Sequence, residues 1–161
     1  MSVDLPTTTY YTRERLPEIR GTILEVYSEV YAADIAGDPF FSVERFEERL
    51  DGHTAAPGWA CVVAEVGGSV AGFTYGFTGR DGVTFKLCEN MLRAAYRGHG
   101  ISRAMHDELM SHRREERSHL LVRRERPRLR ALYERWGYRR AGELLPFPDA
   151  PLYDVMLLPL R

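Results

Sequence analysis

Two glycines stand two residues apart at positions 98 and 100, between a short apolar run and a segment with helical spacing. Residues without a Cβ let the backbone turn tightly, so that successive peptide N–H groups can converge on one anion. A helix predicted from Ile101 to about Arg114 would direct the positive end of its dipole at the same point. The stretch Tyr96–Ser102 is therefore predicted to bind phosphate, although a simple turn and helix cap would use the same residues. Its spacing differs from G-x-G-x-x-G and from G-x-x-x-x-G-K-[ST], which argues against the two commonest nucleotide loops.

A carboxylate lies in the strand that precedes this loop, predicted from Val83 to about Leu92. Because side chains alternate along a strand, Glu89 and Met91 should share one face. The opposite face should carry Cys88, Asn90 and Leu92. A carboxylate in a core strand can draw a proton from a substrate, and it can equally be a structural partner of an arginine.

Other ionisable groups are weaker candidates for chemistry. Tyr133 lies on an apolar helical stripe, where a tyrosine is most often a core residue. Glu65 and Asp154 are secondary carboxylates. The scattered histidines are interpreted as surface or hydrogen-bonded residues: His53, His106, His112 and His119. No cysteine or serine stands in a nucleophile arrangement, which favours direct transfer chemistry over a covalent intermediate.

The composition predicts one domain with a sizeable core, since the chain has 161 residues, of which 44% are hydrophobic and 28% charged. No apolar stretch approaches the roughly 18 residues of a membrane span, and no basic-then-apolar leader opens the chain. We therefore expect a cytosolic protein without a membrane partner. Cys61 and Cys88 are expected to be reduced thiols, and no His/Cys cluster has the spacing of a metal site.

Charge is distributed unevenly along the chain. Residues 1–92 carry 7 basic and 14 acidic side chains, whereas residues 93–140 carry 14 basic and 6 acidic ones. An arginine-rich half is compatible with a nucleic-acid module. However, the arginines alternate with glutamates at helical spacing, as on a solvated, salt-bridged face, and surface aromatics do not interleave with them. The same half contains the predicted phosphate loop, so we expect a polyanionic ligand and no nucleic acid.

Hydrophobic periodicity and turn residues predict the order of the elements. Residues 1–7 are expected to be irregular. The predicted helices run from Pro17 to about Ala33, Val43 to about Leu50, Ile101 to about Arg114, and Leu129 to Trp136. The predicted strands are Thr8–Tyr11, Trp59–Val66, Val70–Phe77, Val83–Leu92, Leu120–Val122, Tyr138–Leu144 and Leu152–Leu160.

The glycine loop resembles the acyl-CoA pyrophosphate loop of the GNAT (GCN5-related N-acetyltransferase) superfamily. Arg97, Gly100 and Ser102 fall on its positions, and Ser102 departs from the Gly or Ala that the family prefers. The stretch Arg130–Tyr138 is similar to the family's second signature, a helix with an aliphatic-Tyr pair that ends at Gly and an aromatic residue. Tyr153–Met156 resembles its last strand. These motifs occur in the family's order.

The resemblance implies an α+β fold, in which a central, mostly antiparallel, twisted sheet of six or seven strands is flanked by four helices. It implies one acyltransferase domain over residues 1–161, with acetyl-CoA as co-substrate. Family members often dimerise, so a homodimer is a further expectation.

The resemblance also implies the roles of the site residues. Glu89 would be the general base, and Tyr133 would protonate the departing thiolate. Residues implied in cofactor binding are Met91, Leu92, Arg97, Gly98, His99, Gly100, Ile101, Ser102 and Arg126. One of these residues, Arg126, stands where many members have an asparagine. Asn90, in the strand before the loop, stands where an aliphatic residue is usual.

The acceptor pocket should lie between the first two helices, the strand that holds Glu89, and the loop Pro146–Pro151. The N-terminal wall would carry aromatic Tyr27, Tyr31, Phe40 and Phe41 with acidic Glu25, Glu29, Asp34 and Asp38. Acidic and aromatic groups together favour a cationic amine, on a small molecule or a peptide. The alternative is a non-catalytic relative that binds acyl-CoA as a sensor or structural partner, which the departures at Asn90, Ser102 and Arg126 would fit.

Overall fold

One mixed sheet of seven strands organises the chain, and the computed structural model describes residues 5–161. The strands are Thr7–Thr12 (β1), Ala60–Val66 (β2), Ser69–Thr78 (β3), Thr84–Leu92 (β4), Arg117–Arg123 (β5), Arg139–Leu144 (β6) and Tyr153–Pro159 (β7). Their order in the sheet is β1-β2-β3-β4-β5-β7-β6, and only the β4–β5 pair is parallel. The predicted α+β class and mostly antiparallel sheet are confirmed.

The described residues contain five helices rather than the four expected. They are Leu16–Val30 (α1), Ala32–Gly37 (α2), Val43–Thr54 (α3), Ile101–Ser111 (α4) and Pro127–Arg135 (α5). The extra helix is α2, which occupies the space between the predicted end of the first helix and Pro39. It ends at Asp38, whose side chain accepts a hydrogen bond from the Phe40 N–H at 2.9 Å. None of the helices within residues 5–161 combines the length and the apolar character needed to cross a bilayer.

The N-terminal stretch only partly matches the expected irregular segment. β1 begins at Thr7 and pairs antiparallel with β2 from Thr7 to Thr12. Residues 1–4 of the segment expected to be irregular lie outside the described residues.

The two faces of the sheet bury two separate apolar clusters. One face packs against α4 and α5 through a cluster that includes Phe85, Leu87, Ile101, Met105 and Tyr133. The other face packs against α1 and α3 through a cluster that includes Ile23, Phe46, Phe73, Tyr75 and Met91. Removing these side chains from water supplies the main stabilisation of the layers. It also gives the side chains on the two sides of β4 different environments.

The neighbouring strands β4 and β5 separate in the middle of the sheet. Their pairing covers only Thr84–Lys86 against Arg117–His119, and beyond Lys86 no described residue of β5 pairs with β4. On its other edge, β4 stays paired with β3 as far as Leu92. This separation opens a wedge between the two strands, and the edge of β4 that faces the wedge pairs with no described residue of β5. The predicted site residues Glu89, Met91 and Leu92 lie on this edge.

Candidate active site

The loop after β4 has the backbone geometry of an anion cradle. Ala94–Tyr96 forms one 3-10 turn, and Gly98 and Gly100 follow with φ of 84° and 76°. These left-handed conformations are accessible to glycine at little cost. Gly100 caps α4 through its backbone, and the buried Ile101 side chain anchors the first helical turn in the core.

Six successive amide groups in this loop are free of protein partners. The N–H groups from Gly98 to Arg103 donate to no other residue within the described part of the chain, and the first bond of α4 runs from the Ala104 N–H to the Gly100 carbonyl at 3.0 Å. Arg97 and His99 are exposed beside them. Free N–H groups at a helix N-terminus, together with a guanidinium, fit the diphosphate of an acyl-CoA.

Arg93, at the start of the loop, binds both to β3 in the sheet and to α1. The Arg93 N–H donates to the Ala71 carbonyl at 2.8 Å, and the Arg93 Nη1 donates to the Val70 carbonyl at 3.0 Å. The same side chain forms ion pairs with Glu25 at 3.3 Å and Glu29 at 3.1 Å on α1. These contacts fix where the chain leaves β4, so the cradle has a defined position relative to the wedge.

Asn90, Ser102 and Tyr133 meet on the α4–α5 side of β4. The Ser102 hydroxyl donates to Asn90 Oδ1 at 3.3 Å, whereas Asn90 Nδ2 is buried without a partner among residues 5–161. Burial raises the pKa of the Tyr133 phenol well above its usual range, and a polar contact with the Asn90 side chain opposes that change. The phenol is therefore neutral and holds its proton at physiological pH.

Glu89 lies on the opposite side of β4, at a cleft of about 510 Å³. Burial raises the pKa of its carboxyl to about 7, while the charges of Arg49 and Arg123 oppose this rise. A carboxyl group with a pKa near 7 can accept a proton at neutral pH, as a general base must.

A β-bulge shifts the alternation along β4. Glu89 pairs with Tyr75 and Leu87 pairs with Gly76, so Cys88 has no opposite residue on β3. Cys88 therefore packs on the α1–α3 side, where Glu89 and Met91 also lie. The prediction that Cys88 shares a face with Asn90 and Leu92 is wrong for this reason. The predicted faces of the other four residues match the structure.

The aromatic wall of the cleft agrees with the expectation, and the acidic wall does not. Tyr27, Tyr31, Phe40 and Phe41 all line the cleft that contains Glu89. Only part of the loop Pro146–Pro151 does so, through Pro146 and Phe147.

The four expected acidic residues are engaged elsewhere. Glu25 and Glu29 pair with Arg93 beside the cradle, and Asp38 caps the turn at Phe40. Asp34 lies in a neighbouring groove, where it pairs with Arg123 at 2.9 Å and Arg126 at 3.6 Å. The acidic surface predicted for the acceptor pocket is thus neutralised by arginines from other elements, and the argument for a cationic amine loses its basis.

The weaker candidates for chemistry are the secondary carboxylates and the histidines. Asp154 is buried between Arg130 and Arg140, with ion pairs of 3.4 Å and 2.8 Å, and Glu65 is exposed on β2. His106 Nε2 lies 2.8 Å from the Tyr138 hydroxyl, as expected of a hydrogen-bonded core histidine. His53 Nδ1 likewise lies 3.0 Å from the Tyr75 hydroxyl, and both His53 and His119 line the cleft. Burial lowers the pKa of His53 to about 4, so its imidazole is neutral.

The structure also shows where Arg126 and the two cysteines lie. Arg126 lines the cleft that contains Glu89, next to its ion pair with Asp34. Cys61 and Cys88 are both free thiols. Within residues 5–161, no group of three or more His, Cys, Asp or Glu side chains could hold a metal ion.

Comparison with known proteins identifies the family. The model of the acetyltransferase (GNAT) domain matches residues 23–146, which is most of the chain. The chain belongs to the GNAT acetyltransferase family. No curated protein matches it.

Solved structures share the GNAT fold along nearly the full length. A GNAT-family protein from Desulfovibrio desulfuricans is 19% identical, with a TM-score of 0.71 over 98% of this chain and 100% of that one. A chimera of the spermidine N-acetyltransferase SpeG from Vibrio cholerae and hSSAT is 16% identical (TM-score 0.67; 96% and 95% covered). PaiA N-acetyltransferase from Thermoplasma acidophilum, in complex with coenzyme A, is 14% identical (TM-score 0.64; 99% of each chain covered).

Two arginines that line the cleft of this GNAT protein were not among the sequence candidates. Arg49 follows Phe46 by three residues on α3, so helical spacing turns it toward the same side. Arg123 ends β5, and the alternation of Leu120 and Val122 on one face puts Arg123 on the other. Both signals were present in the sequence, but only the fold brings the two guanidinium groups to one carboxylate.

Proposed function

We propose that this GNAT protein is an N-acetyltransferase that moves an acetyl group directly from acetyl-CoA to a primary amine of a small molecule or peptide. The observation that carries the proposal is the Glu89 carboxyl, whose pKa of about 7 suits a base. It lies at an acceptor-sized cleft, on the opposite side of β4 from Tyr133.

The free amides of Gly98 to Arg103 would hold the diphosphate of acetyl-CoA, and Arg97 would add positive charge. The edge of β4 at Met91 and Leu92 that pairs with no described residue of β5 would accompany the pantetheine arm along the wedge. The coenzyme A bound to PaiA, a protein of the same fold, supports this donor.

The chemistry then needs one proton acceptor and one proton donor. Glu89 would take a proton from the incoming ammonium, so that the neutral nitrogen attacks the thioester carbonyl carbon. A backbone N–H near Met91 would polarise that carbonyl, and the carbon–sulfur bond breaks as the amide forms. The thiolate would receive its proton from the Tyr133 phenol, and the resulting phenolate would regain a proton, through solvent, from the second one that the attacking nitrogen loses. Burial raises the pKa of Cys88 well above its usual range, which favours this direct route over an acyl-cysteine.

The second candidate is a non-catalytic relative that binds acyl-CoA, and the contact between Asn90 and Ser102 favours it because both residues depart from the family pattern on the donor side. A calorimetric titration with acetyl-CoA and a thiol-release assay over a panel of amines, run beside Glu89→Gln, separate the two. Turnover that Glu89→Gln abolishes supports the enzyme, binding without turnover supports the relative, and no binding contradicts both. A homodimer, a cytosolic location and the lack of a nucleic-acid partner stay predictions.

A further inference from the structure

The charged groups that line the Glu89 cleft are mostly cationic. Its described lining contains four cationic side chains and one carboxyl group. The cations are Arg49, Lys86, Arg123 and Arg126, and the carboxyl is Glu89. The two histidines of the lining do not add charge at neutral pH, because burial lowers the pKa of both. A polycationic acceptor would meet net repulsion here.

Arg49 has no acidic partner within the described part of the chain. Its one hydrogen bond is from Nη1 to the Phe40 carbonyl at 3.4 Å, a weak contact for a guanidinium. The group otherwise rests on aromatic faces, 5.2 Å from the Phe40 ring centroid and 5.7 Å from that of Phe46. It therefore presents most of its N–H donors to the cleft.

Arg123 also has an unused donor. Only 8% of the residue is exposed, and its Nη1 binds Asp34, but its Nη2 is buried without a partner among residues 5–161. The Arg123 Nη1 also donates to the Glu125 carboxylate at 3.4 Å, and Asp34 is shared with Arg126. A buried N–H of a cation that lacks an acceptor costs free energy, and a ligand oxygen would remove that cost.

The rest of the cleft is aromatic. Rings of Tyr31, Phe41, Phe77, Phe147 and Tyr153 line it, and the Arg123 guanidinium lies 4.0 Å from the Phe41 ring centroid. These surfaces suit an apolar group that is removed from water on binding. The cleft thus joins three features: a base, two arginines with free donors, and an apolar wall.

We propose that the acceptor is an amine that also bears a carboxylate, of the apolar α-amino acid class, with the carboxylate held between Arg49 and Arg123 and the amine nitrogen at Glu89. The inference rests on the proposed acetyl transfer to an amine. The planar fork of a guanidinium matches a carboxylate, and two forks around one carboxylate orient the neighbouring amine. The same positive charges favour the neutral form of that amine, which is the nucleophile.

Matched pairs of substrates test the carboxylate directly. Thiol release from acetyl-CoA is measured with L-phenylalanine against phenethylamine and with L-leucine against 3-methylbutylamine, and spermidine is included as a polycation. We expect kcat/KM to be higher for the amino acid of each pair by about tenfold or more, because a charge-assisted hydrogen bond is worth about 1.5–3 kcal/mol. Arg49→Gln should remove most of this preference, measured as the ratio of kcat/KM within each pair, because its effect on the pKa of Glu89 falls on both members of a pair alike. Arg139→Gln, an exposed arginine of β6 outside the cleft, is the control for net charge.

Equilibrium binding of the same pairs in the presence of coenzyme A separates this inference from the proposed function. If phenethylamine or spermidine is acetylated and neither amino acid is, the enzyme stands and the inference is overturned. An equal loss for both members of a pair in Arg49→Gln also overturns it. If no amine turns over but the amino acids bind preferentially, and Arg49→Gln abolishes that preference, the proposed function fails while the anionic specificity stands. If no amino acid binds or reacts, the inference fails outright.

Discussion

The Ser102 hydroxyl donates a hydrogen bond to the side-chain oxygen of Asn90 over 3.3 Å, so two residues that depart from the family pattern are partners of each other. One comes from β4 and the other from the first turn of α4, directly after the glycine cradle. A small residue at position 102 would leave Asn90 without this donor. An aliphatic residue at position 90 would leave the hydroxyl without this acceptor. The two departures therefore compensate locally, and the amides of the cradle stay free.

The first prediction is that Ser102 and Asn90 are energetically coupled. In a double-mutant cycle of Ser102→Ala and Asn90→Leu, each single variant loses the hydrogen bond, and the double variant loses it only once. We expect a coupling free energy of about 0.5–1.5 kcal/mol in urea unfolding, the net value of a typical internal hydrogen bond. Effects that simply add would show that the contact contributes nothing to stability.

The second prediction concerns the pH dependence of the reaction. Because a general base must be unprotonated, kcat/KM should rise as the pH passes through about 7, the pKa of Glu89. In Glu89→Gln this limb should vanish and the rate should fall by about 10²–10⁴-fold, the usual contribution of a positioned base. A Glu89→Gln variant that keeps the same limb would assign the titration to the substrate amine instead.

The third prediction is that the Glu89 carboxyl makes the free energy of unfolding fall as the pH rises. Its pKa is about 7 in the folded protein against an ordinary 4.5, so the native state holds this proton more tightly than the unfolded chain. The stabilising contribution is complete below about pH 4.5 and is lost as the pH rises through 7. Relative to Glu89→Gln, the native protein should lose up to about 3 kcal/mol of unfolding free energy between pH 4 and pH 8.

Urea unfolding across this pH range checks the difference between the two proteins. Glu48→Gln, which changes an exposed glutamate on α3, is the control and should follow the native protein at every pH. If Glu89→Gln and the native protein run parallel from pH 4 to pH 8, the carboxyl of Glu89 titrates normally in the folded state.

The fourth prediction separates the phenol of Tyr133 from its ring. Tyr133→Phe keeps the edge-to-face contacts with Trp136 and Tyr138, so its stability should be close to that of the native protein. Loss of the proton donor should lower kcat by about 10²-fold while the affinity for acetyl-CoA stays the same.

A second buried phenol provides the matched control. The Tyr138 hydroxyl contacts His106 and Ser118, each at 2.8 Å, on the α4–α5 side of the sheet. Tyr138→Phe should destabilise the fold by about 1–3 kcal/mol, because it leaves buried polar groups without partners, and it should keep kcat. If both variants lose kcat alike, the effect of Tyr133→Phe is structural.

Most of the fold could be predicted because local signals and tertiary structure agree. The strands of the β2–β3 hairpin are β-rich on both sides of Gly67-Gly68, and α4 has a clear apolar stripe. The boundary between α1 and α2 could not be predicted, because no glycine or proline marks Tyr31, where the two helices meet. The bulge at Cys88 could not be predicted from the sequence either, because it depends on how β4 is aligned with β3.

The site residues also fall into two groups, those that the sequence could reveal and those that it could not. The cradle and the helix of Tyr133 are contiguous motifs, so their residues were candidates from the sequence. The charge of the cleft depends on partners from distant elements, and local composition does not report them. Arg93 neutralises Glu25 from 68 positions away. Arg49 on α3 and Arg123 on β5 both act on the pKa of Glu89 on β4, although the three residues are far apart in the sequence.

The last prediction tests the cradle with two glycines of equal backbone strain. Gly100 has φ of 76° and Gly82, in the turn between β3 and β4, has φ of 73°, and an added Cβ would meet no atom within 4 Å at either position. Alanine at each should therefore cost a similar 1–2 kcal/mol, the penalty of a left-handed L-residue. Only Gly100→Ala puts a methyl group beside the free amides, so only it should weaken coenzyme A binding, by about tenfold if one charge-assisted contact is lost. Calorimetric titration of both variants measures this, and equal affinities in the two would show that the diphosphate binds elsewhere.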